Sequence, residues 1–184
     1  MPMEVAATEI ADMFFLRTPE FVDDRGKFFE SYNVSAFSPW LGNLRFVQDN
    51  QTRSRKGVIR GLHYQTEKVQ GKLVRVLRGV VFDVVVDLRK SSSTFGRWHG
   101  FQLCASDRWQ VWIPPGLAHG FLALSDNTEV FYKVTDYWHP QSERTLRWDD
   151  PHLRIRWPLP AGVQPILSLK DAEGLAWDNV PKFD

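Results

Sequence analysis

The sequence lacks the features of a secreted, membrane-spanning or polyanion-binding protein. Its only cysteine is Cys104, so no disulfide can form within the chain. No stretch of 18 consecutive apolar residues occurs, and the N-terminal residues include acidic side chains, so neither a membrane span nor a signal peptide is predicted. A formal net charge of +1 argues against nucleic acid as a partner. These observations favour a reducing compartment, with a cytoplasmic location and no membrane partner as the expectation.

Helical periodicity is also scarce, and short β-type runs separated by Gly, Pro, Asn and Asp take its place. Strands are predicted over 26–32, 58–64, 72–78, 80–89, 98–103, 109–113, 119–124 and 129–135, and short helical segments over 34–41 and 170–176. Spacings of about 8 to 12 residues are typical of a sandwich or barrel. The sequence therefore predicts one all-β domain over residues 1–184, with an irregular C-terminal arm from about residue 149.

Several polar side chains interrupt the most apolar of these segments. Arg60 and His63 lie in VIRGLHY, and Lys72 begins KLVRVLR. A charged side chain in a β core is costly unless it is paired or lines a wet cavity, and alternation alone would let each of them point outward. Regular alternation puts Arg60 and His63 on opposite faces, although a bulge at Gly61 would change this. Neither face is cleanly apolar, so this strand is a candidate for lining a site.

Three further segments combine titratable and aromatic side chains, and each has an ordinary structural interpretation. The turn in WIPPGLAHGF delivers His119 onto the next strand, where a lone histidine is more often structural. The run VFYKVTDYWHP contains Tyr132 and Trp138 and is compatible with a normal aromatic strand. In LSLKDAEG, Lys170 and Asp171 precede a helical turn, and the spacing alone favours a capping role for Asp171.

A metal site is a weaker interpretation of the two histidines. Gly57 with His63, and Pro114-x-Gly116-x-x-His119, resemble parts of the metal-binding pattern in cupin barrels. The position of a second histidine is Gln65, and Lys72 lies where an acidic ligand would be sought. Two histidines rarely hold a divalent ion, and a neighbouring ammonium group repels it, so no metal is predicted.

Seven runs together resemble the dTDP-4-dehydrorhamnose 3,5-epimerase family, in the order of that family and over about residues 13 to 179. They are DDRGKFFESYN (23–33), FVQDNQTRS (46–54), GVIRGLHYQ (57–65), QGKLVRVLRGVVFDVVVDLR (70–89), WIPPGLAHGF (112–121), YKVTDYW (132–138) and LSLKD (167–171). The resemblance implies a cupin-type jelly-roll barrel (double-stranded β-helix), a homodimer, and neither a metal nor an organic cofactor. It also implies conversion of dTDP-4-keto-6-deoxy-D-glucose to dTDP-4-keto-L-rhamnose.

Site residues follow from the same resemblance at the matching positions. His63 would be the general base, Asp171 its orienting partner, Tyr132 the proton donor on the opposite face of the sugar ring, and Lys72 the partner of the ketone oxygen. Trp138 occupies the position that stacks on thymine, where many relatives have Tyr. The remaining implied substrate contacts are Arg25 and Glu30, from an N-terminal strand region (about 13–33) that reaches the dimer partner, and Gln48, Asn50, Arg60, His119, Glu143 and Lys170.

The chemistry requires these residue types. A hydrogen beside a ketone is far less acidic than an imidazolium of pKa ~6.5, so a base needs help from a group that stabilises the enolate oxygen. Alternatives are an epimerase acting only at carbon 3, a 3,4-ketoisomerase, a non-catalytic sugar-binding barrel, and a metal-dependent cupin oxygenase. The sequence leaves open whether rhamnose for a surface polysaccharide or a sugar of a specialised metabolite is the product.

Overall fold

Two antiparallel sheets face each other in the computed structural model, which describes residues 2–184. The elements are β1 (Glu4–Ala7), β2 (Phe14–Arg17), β3 (Phe21–Asp23), β4 (Gly26–Phe28), α1 (Val34–Leu41), β5 (Gln48–Ser54), β6 (Ile59–Gln65), β7 (Lys72–Arg78), β8 (Val80–Asp87), β9 (Trp98–Cys104), β10 (Gln110–Ile113), β11 (Leu117–Ala123), β12 (Thr128–Val134), β13 (Glu143–Thr145) and α2 (Leu169–Ala172). Short 3-10 turns lie at Ala105–Asp107, Pro140–Ser142 and Trp177–Asn179.

The strand order confirms the predicted jelly-roll class. The larger sheet has the order β1-β2-β10-β7-β12-β5, and the smaller sheet has the order β13-β6-β11-β8-β9. Strands β3 and β4 form a separate hairpin. Except for β1–β2 and β8–β9, neighbouring strands are not consecutive in the chain, as in a double-sheet jelly roll. No helix in the described part of the chain has both the length and the hydrophobicity required to cross a membrane.

Alternation along the strands separates the barrel interior from the two outer faces. Val76, Val111 and Val130 of the larger sheet pack against Val81 and Val85 of the smaller sheet in the interior. Helix α1 covers part of the outer face of the larger sheet, where Phe37 and Leu41 join Leu16, Leu73 and Trp112. Burying a large apolar side chain stabilises the fold by roughly 1.5 to 3 kcal/mol, so these contacts hold the helix in place.

The outer face of the smaller sheet is covered by the C-terminal segment. Leu153, Trp177 and Val180 pack against Leu62 and Val84. Asp150 ties this segment together, because its carboxylate accepts hydrogen bonds from the backbone N–H groups of residues 152, 153 and 177. Residues 149–184 thus have little regular structure but are packed and hydrogen-bonded, and they bring α2 to the mouth of the barrel.

The strand predictions differ from the structure where polarity or shortness hides the pattern. The run 26–32 forms a strand only at Gly26–Phe28, and α2 ends at Ala172, earlier than predicted. Strand β5 (Gln48–Ser54) has no apolar alternation and was missed. Its inward residues Gln48, Asn50 and Thr52 line a polar cavity, so a hydrophobic pattern could not develop there.

Candidate active site

A cavity of about 340 Å³ lies inside the barrel between the two sheets. Ten of the predicted site residues line it: Gln48, Asn50, Arg60, His63, Lys72, His119, Tyr132, Trp138, Glu143 and Lys170. Sequence reasoning missed six other lining residues: Thr52, Tyr64, Gln65, Gln70, Gly120 and Phe121. The cavity therefore collects polar side chains from strands of both sheets, from α2 and from the segment that follows β12.

A bulge in β6 places Arg60 and His63 together in this cavity. His119 pairs with His63 and Phe121 pairs with Arg60, so two residues of β6 lie opposite Gly120 alone. Gly61 has φ +125°, and a Cβ there would lie 2.5 Å from the Cα of Gly120. Glycine is therefore required at this close approach, and the bulge anticipated at Gly61 is confirmed.

His63 is oriented by a carboxylate behind it. Nε2 of His63 lies 2.6 Å from Oδ1 of Asp171, whose Oδ2 accepts a hydrogen bond of 2.7 Å from the Ser168 hydroxyl. Burial alone would raise the pKa of Asp171, but the hydrogen bonds from His63, Ser168 and the Gly61 N–H hold it below its usual value. With Nε2 donating to Asp171, Nδ1 is the nitrogen free to act as a base.

The capping role expected for Asp171 from spacing is wrong. Ser168 is the N-cap of α2, and its side chain accepts a hydrogen bond from the backbone N–H of Asp171 at 3.2 Å. Asp171 is thus the third residue of the helix, and its carboxylate points towards β6.

Lys72 brings a buried ammonium group next to His63. Its residue is 7% exposed, and Nζ donates to the backbone oxygen of His63 at 3.1 Å. Burial lowers the pKa of Lys72 to about 8, while the negative charges of Glu143 and Asp83 oppose this change. At neutral pH the group remains mostly protonated and can stabilise a developing oxyanion.

Tyr132 faces the cavity from the opposite sheet. It lies on β12 of the larger sheet, whereas His63 lies on β6 of the smaller one. Burial raises the pKa of Tyr132, with Arg60 opposing and Glu143 reinforcing the change. The phenol therefore keeps its proton at neutral pH, and a flat ligand between the sheets would have a base on one face and an acid on the other.

A second imidazole–carboxylate pair adjoins the cavity, with His119 lining it and Asp83 buried behind. Nε2 of His119 lies 2.9 and 3.1 Å from the two oxygens of Asp83, a residue that sequence reasoning missed. In VVFDVVVD a single aspartate resembles an outward-facing strand residue, and its partner is 36 positions away.

Charged and aromatic groups surround the cavity mouth. The Trp138 residue is 57% exposed, and its backbone N–H donates to Gln48 Oε1 at 3.0 Å. Lys170 lies 3.0 Å from Glu143, and Nε of Arg60 donates to Ser54 Oγ at 3.0 Å. A cavity lined by an exposed indole and two cationic side chains suits a ligand with a flat base and a phosphate group.

Arg25 and Glu30 lie outside this cavity. Arg25 is on the turn of the β3–β4 hairpin and pairs with Asp23, and Glu30 accepts hydrogen bonds from Asn33. Phe21 and Phe28 of the hairpin are 61% and 67% exposed. Within one chain, these two predicted contacts are therefore not brought together with the other site residues.

No three His, Cys, Asp or Glu side chains converge as a metal-binding group anywhere between residues 2 and 184. Each histidine of the cavity instead has a single carboxylate partner, and the ammonium group of Lys72 lines the same cavity.

Comparison with known proteins identifies similar sequences over almost the whole chain. A family model described as dTDP-4-dehydrorhamnose 3,5-epimerase matches residues 7–179. The dTDP-4-dehydrorhamnose 3,5-epimerase of Pseudomonas aeruginosa is 50% identical over 182 residues, which cover 98% of this chain and 99% of the relative.

Solved structures agree with this similarity. The dTDP-6-deoxy-D-glucose-3,5-epimerase of Legionella pneumophila, crystallised with dTDP-4-keto-L-rhamnose, is 46% identical with a TM-score of 0.92, covering 97% of this chain and 95% of that one. A 3'-monoepimerase from Streptomyces bikiniensis, in complex with dTDP-quinovose, is more distant at 29% identity and a TM-score of 0.85, covering 92% and 85%. The fold thus accommodates epimerases of one or two carbons.

Proposed function

Because the chain belongs to the dTDP-4-dehydrorhamnose 3,5-epimerase family, we propose that it inverts carbons 3 and 5 of dTDP-4-keto-6-deoxy-D-glucose to give dTDP-4-keto-L-rhamnose. The observation that supports this most strongly is the opposition of His63 and Tyr132 across one cavity, with Lys72 beside them. Inversion needs a proton to leave one face of the ring and another to arrive at the other face.

His63 is the base in this proposal. Nδ1 removes the hydrogen from the carbon next to the ketone, and the hydrogen bond of Nε2 to Asp171 stabilises the imidazolium that forms. The electron pair of the broken C–H bond moves onto the ketone oxygen, giving an enolate. The reaction transfers protons only, and no electrons leave the substrate.

Lys72 stabilises that enolate. Its ammonium is already fixed by a hydrogen bond to the His63 backbone oxygen and by burial, so little reorganisation is needed when charge develops. Each 1.4 kcal/mol, roughly, of selective stabilisation of the enolate accelerates its formation about tenfold. Tyr132 then donates its phenolic proton to the opposite face of the carbon.

The nucleotide part occupies the cavity mouth in this proposal. The exposed indole of Trp138 stacks on the thymine ring, and Arg60 and Lys170 bind the diphosphate. Gln48 holds the Trp138 backbone, and Asn50, His119 and Glu143 provide further polar contacts. A biosynthetic role in the cytoplasm, making rhamnose for a surface polysaccharide, is part of the same proposal.

The proposed reaction predicts incorporation of solvent deuterium at both carbons. The enzyme is incubated in heavy water with dTDP-4-keto-6-deoxy-D-glucose, and the label is located by NMR and counted by mass spectrometry. We expect exchange at carbons 3 and 5, together with inverted product, because each inversion replaces one carbon-bound hydrogen by a solvent proton. Label at carbon 3 alone would make the protein a 3-epimerase, and no label with an intact fold would reject the proposal.

A homodimer completes the site in this proposal. One domain spans residues 1–184, and the region of about 13–33 reaches the partner while the arm of about 149–184 stays with its own barrel. The support is the β3–β4 hairpin, which carries exposed aromatic residues and Arg25 outside its own cavity. Arg25 and Glu30 would bind the substrate of the partner subunit, where the guanidinium adds to the diphosphate contacts.

Mixed dimers test this arrangement. Chains with Arg25→Ala are combined with chains carrying His63→Ala, each with a different affinity tag, and heterodimers are isolated. Arg25→Ala homodimers should bind substrate at least about tenfold more weakly, the usual loss for a hydrogen bond to a charged group. Heterodimers should recover about half of the wild-type activity, because one of their two sites has both His63 and a partner Arg25.

The alternative arrangement gives a different result. If Arg25 acted in its own subunit, no site of the heterodimer would be complete, and its activity would not exceed that of the Arg25→Ala homodimer. Arg154→Ala is the matched control, because it removes an exposed arginine of the C-terminal arm. Light scattering checks that every sample is a dimer, and a wild-type monomer would refute the proposed assembly.

A further inference from the structure

Asp83 is a fully buried carboxylate in the apolar interior of the barrel. It lies on β8 between the core residues Val81 and Val85, and its exposed fraction is 0%. Burying a carboxylate among apolar side chains is costly unless hydrogen bonds or a cation compensate. Across residues 2–184, the hydrogen bonds to this carboxylate come from a single group, Nε2 of His119.

A second aspartate on the same strand has a very different environment. Asp87 is equally buried, but it accepts hydrogen bonds from the side chains of Arg89, Ser92 and Thr94 and from the backbone N–H of Arg89. Asp87 thus fixes the chain that follows β8. Asp83 fixes no loop, and its one partner is a cavity residue, so its contribution must be sought in the cavity.

The Asp83 contact determines which nitrogen of His119 is available. Nε2 donates to the carboxylate, and Nδ1 has no hydrogen-bond partner in the described range 2–184. His119 is the cross-strand neighbour of His63 and lines the same cavity. The two imidazoles therefore have the same arrangement, each with Nε2 held by a carboxylate and Nδ1 left for the substrate.

Asp83 also contributes negative charge near Lys72. Burial lowers the pKa of Lys72 to about 8, and Glu143 and Asp83 are the two groups that oppose this. The other titratable or charged groups that line the cavity come from four elements: Arg60, His63 and Tyr64 of β6, His119 of β11, Tyr132 of β12 and Lys170 of α2. Without the charge of Asp83, Glu143 is the main negative group that stabilises the ammonium form of Lys72.

We propose that Asp83 is a positioning residue that acts through two neighbours, an inference that rests on the proposed function. Its carboxylate holds Nε2–H of His119, so that the unprotonated Nδ1 faces the cavity as a hydrogen-bond acceptor for a hydroxyl group of the sugar, and its negative charge favours the ammonium form of Lys72. One buried aspartate thereby prepares both an acceptor that orients the sugar and a cation that stabilises the enolate.

Asp83→Asn separates this role from a purely structural one. The amide oxygen can still accept from Nε2 of His119, but the charge is lost. We expect the alkaline limb of the kcat–pH profile to move down by roughly one unit, because Lys72 loses its proton more easily without a negative neighbour. Asp83→Ala also frees His119, and kcat should fall by roughly 10²-fold. Asp87→Asn, the same change on the same strand, should leave the pH profile in place.

Two NMR measurements without substrate keep the inference independent of the proposed reaction. In the wild-type protein, ¹⁵N correlations of His119 should identify the Nε2–H tautomer, and titration of the Lys72 Nζ signal should shift downwards in Asp83→Asn. An Nδ1–H tautomer, or an unchanged Lys72 titration in the folded variant, would overturn the inference. Unfolding of Asp83→Asn while Asp87→Asn stays folded would also overturn it, because the carboxylate would then be structural. Absence of wild-type epimerisation would reject the proposed function alone.

Discussion

Replacement of His63 by alanine is expected to lower deuterium exchange at both carbons by roughly 10²- to 10⁴-fold, the usual contribution of a general base. The methyl group cannot accept a proton, and the Tyr132 phenol lies on the other wall of the cavity and is protonated at neutral pH. Exchange is measured by NMR in heavy water with saturating substrate. The loss should appear at carbons 3 and 5 together, because one base serves both.

Asp171→Asn should lower the rate of deuterium exchange only in part. An amide can donate to Nε2 of His63 and thereby favour the tautomer with a proton on Nδ1, which blocks the nitrogen that acts as the base. His99→Ala is the matched control, because this histidine lies on β9, pairs with Glu9 and does not line the cavity. Wild-type exchange in a folded His63→Ala variant would eliminate the assigned base.

Strand positions could be predicted where burial on one or both faces shapes the sequence. Lys72 begins a strand in which Leu73, Val74 and Val76 are buried, and the predicted bounds of that strand agree with β7. Strand β5 could not be predicted in this way, because its inward side chains face a polar cavity and its outward side chains face solvent. A functional surface thus removes the hydrophobic signal that identifies a strand.

Contacts between residues distant in the chain also limit how much of the site the sequence can predict. The local pattern around Gly61 suggested a bulge, but only the pairing with Gly120 shows that Arg60 and His63 share the cavity. The His63–Asp171 contact spans 108 positions, and spacing favoured a cap for Asp171 instead. The family resemblance suggested the His63–Asp171 pair, which no local pattern indicated. The contact of Asp83 with His119 could be found only in the structure, because the strand of Asp83 resembles an ordinary apolar one.

Replacement of Tyr132 by phenylalanine should separate proton removal from inversion. The variant lacks the phenolic hydroxyl but keeps the ring that packs against the barrel core, so the cavity retains its shape. His63 and Lys72 still form the enolate, and the proton returns from the imidazolium to the face that it left. We therefore expect deuterium exchange to continue within about tenfold of the wild-type rate, while inverted product falls by roughly 10²- to 10⁴-fold.

The two quantities are measured in one sample. NMR gives the label at each carbon and the ratio of starting sugar to inverted sugar, so their rates can be compared directly. Tyr32→Phe is the control, because that tyrosine packs with Phe37 and Phe46 on the outer face of the larger sheet. Equal losses of exchange and inversion in Tyr132→Phe would mean that the phenol takes part in forming the enolate. An unchanged yield of inverted product would mean that the proton on the second face comes from another group, and the opposition of the two sheet walls would no longer explain the stereochemistry.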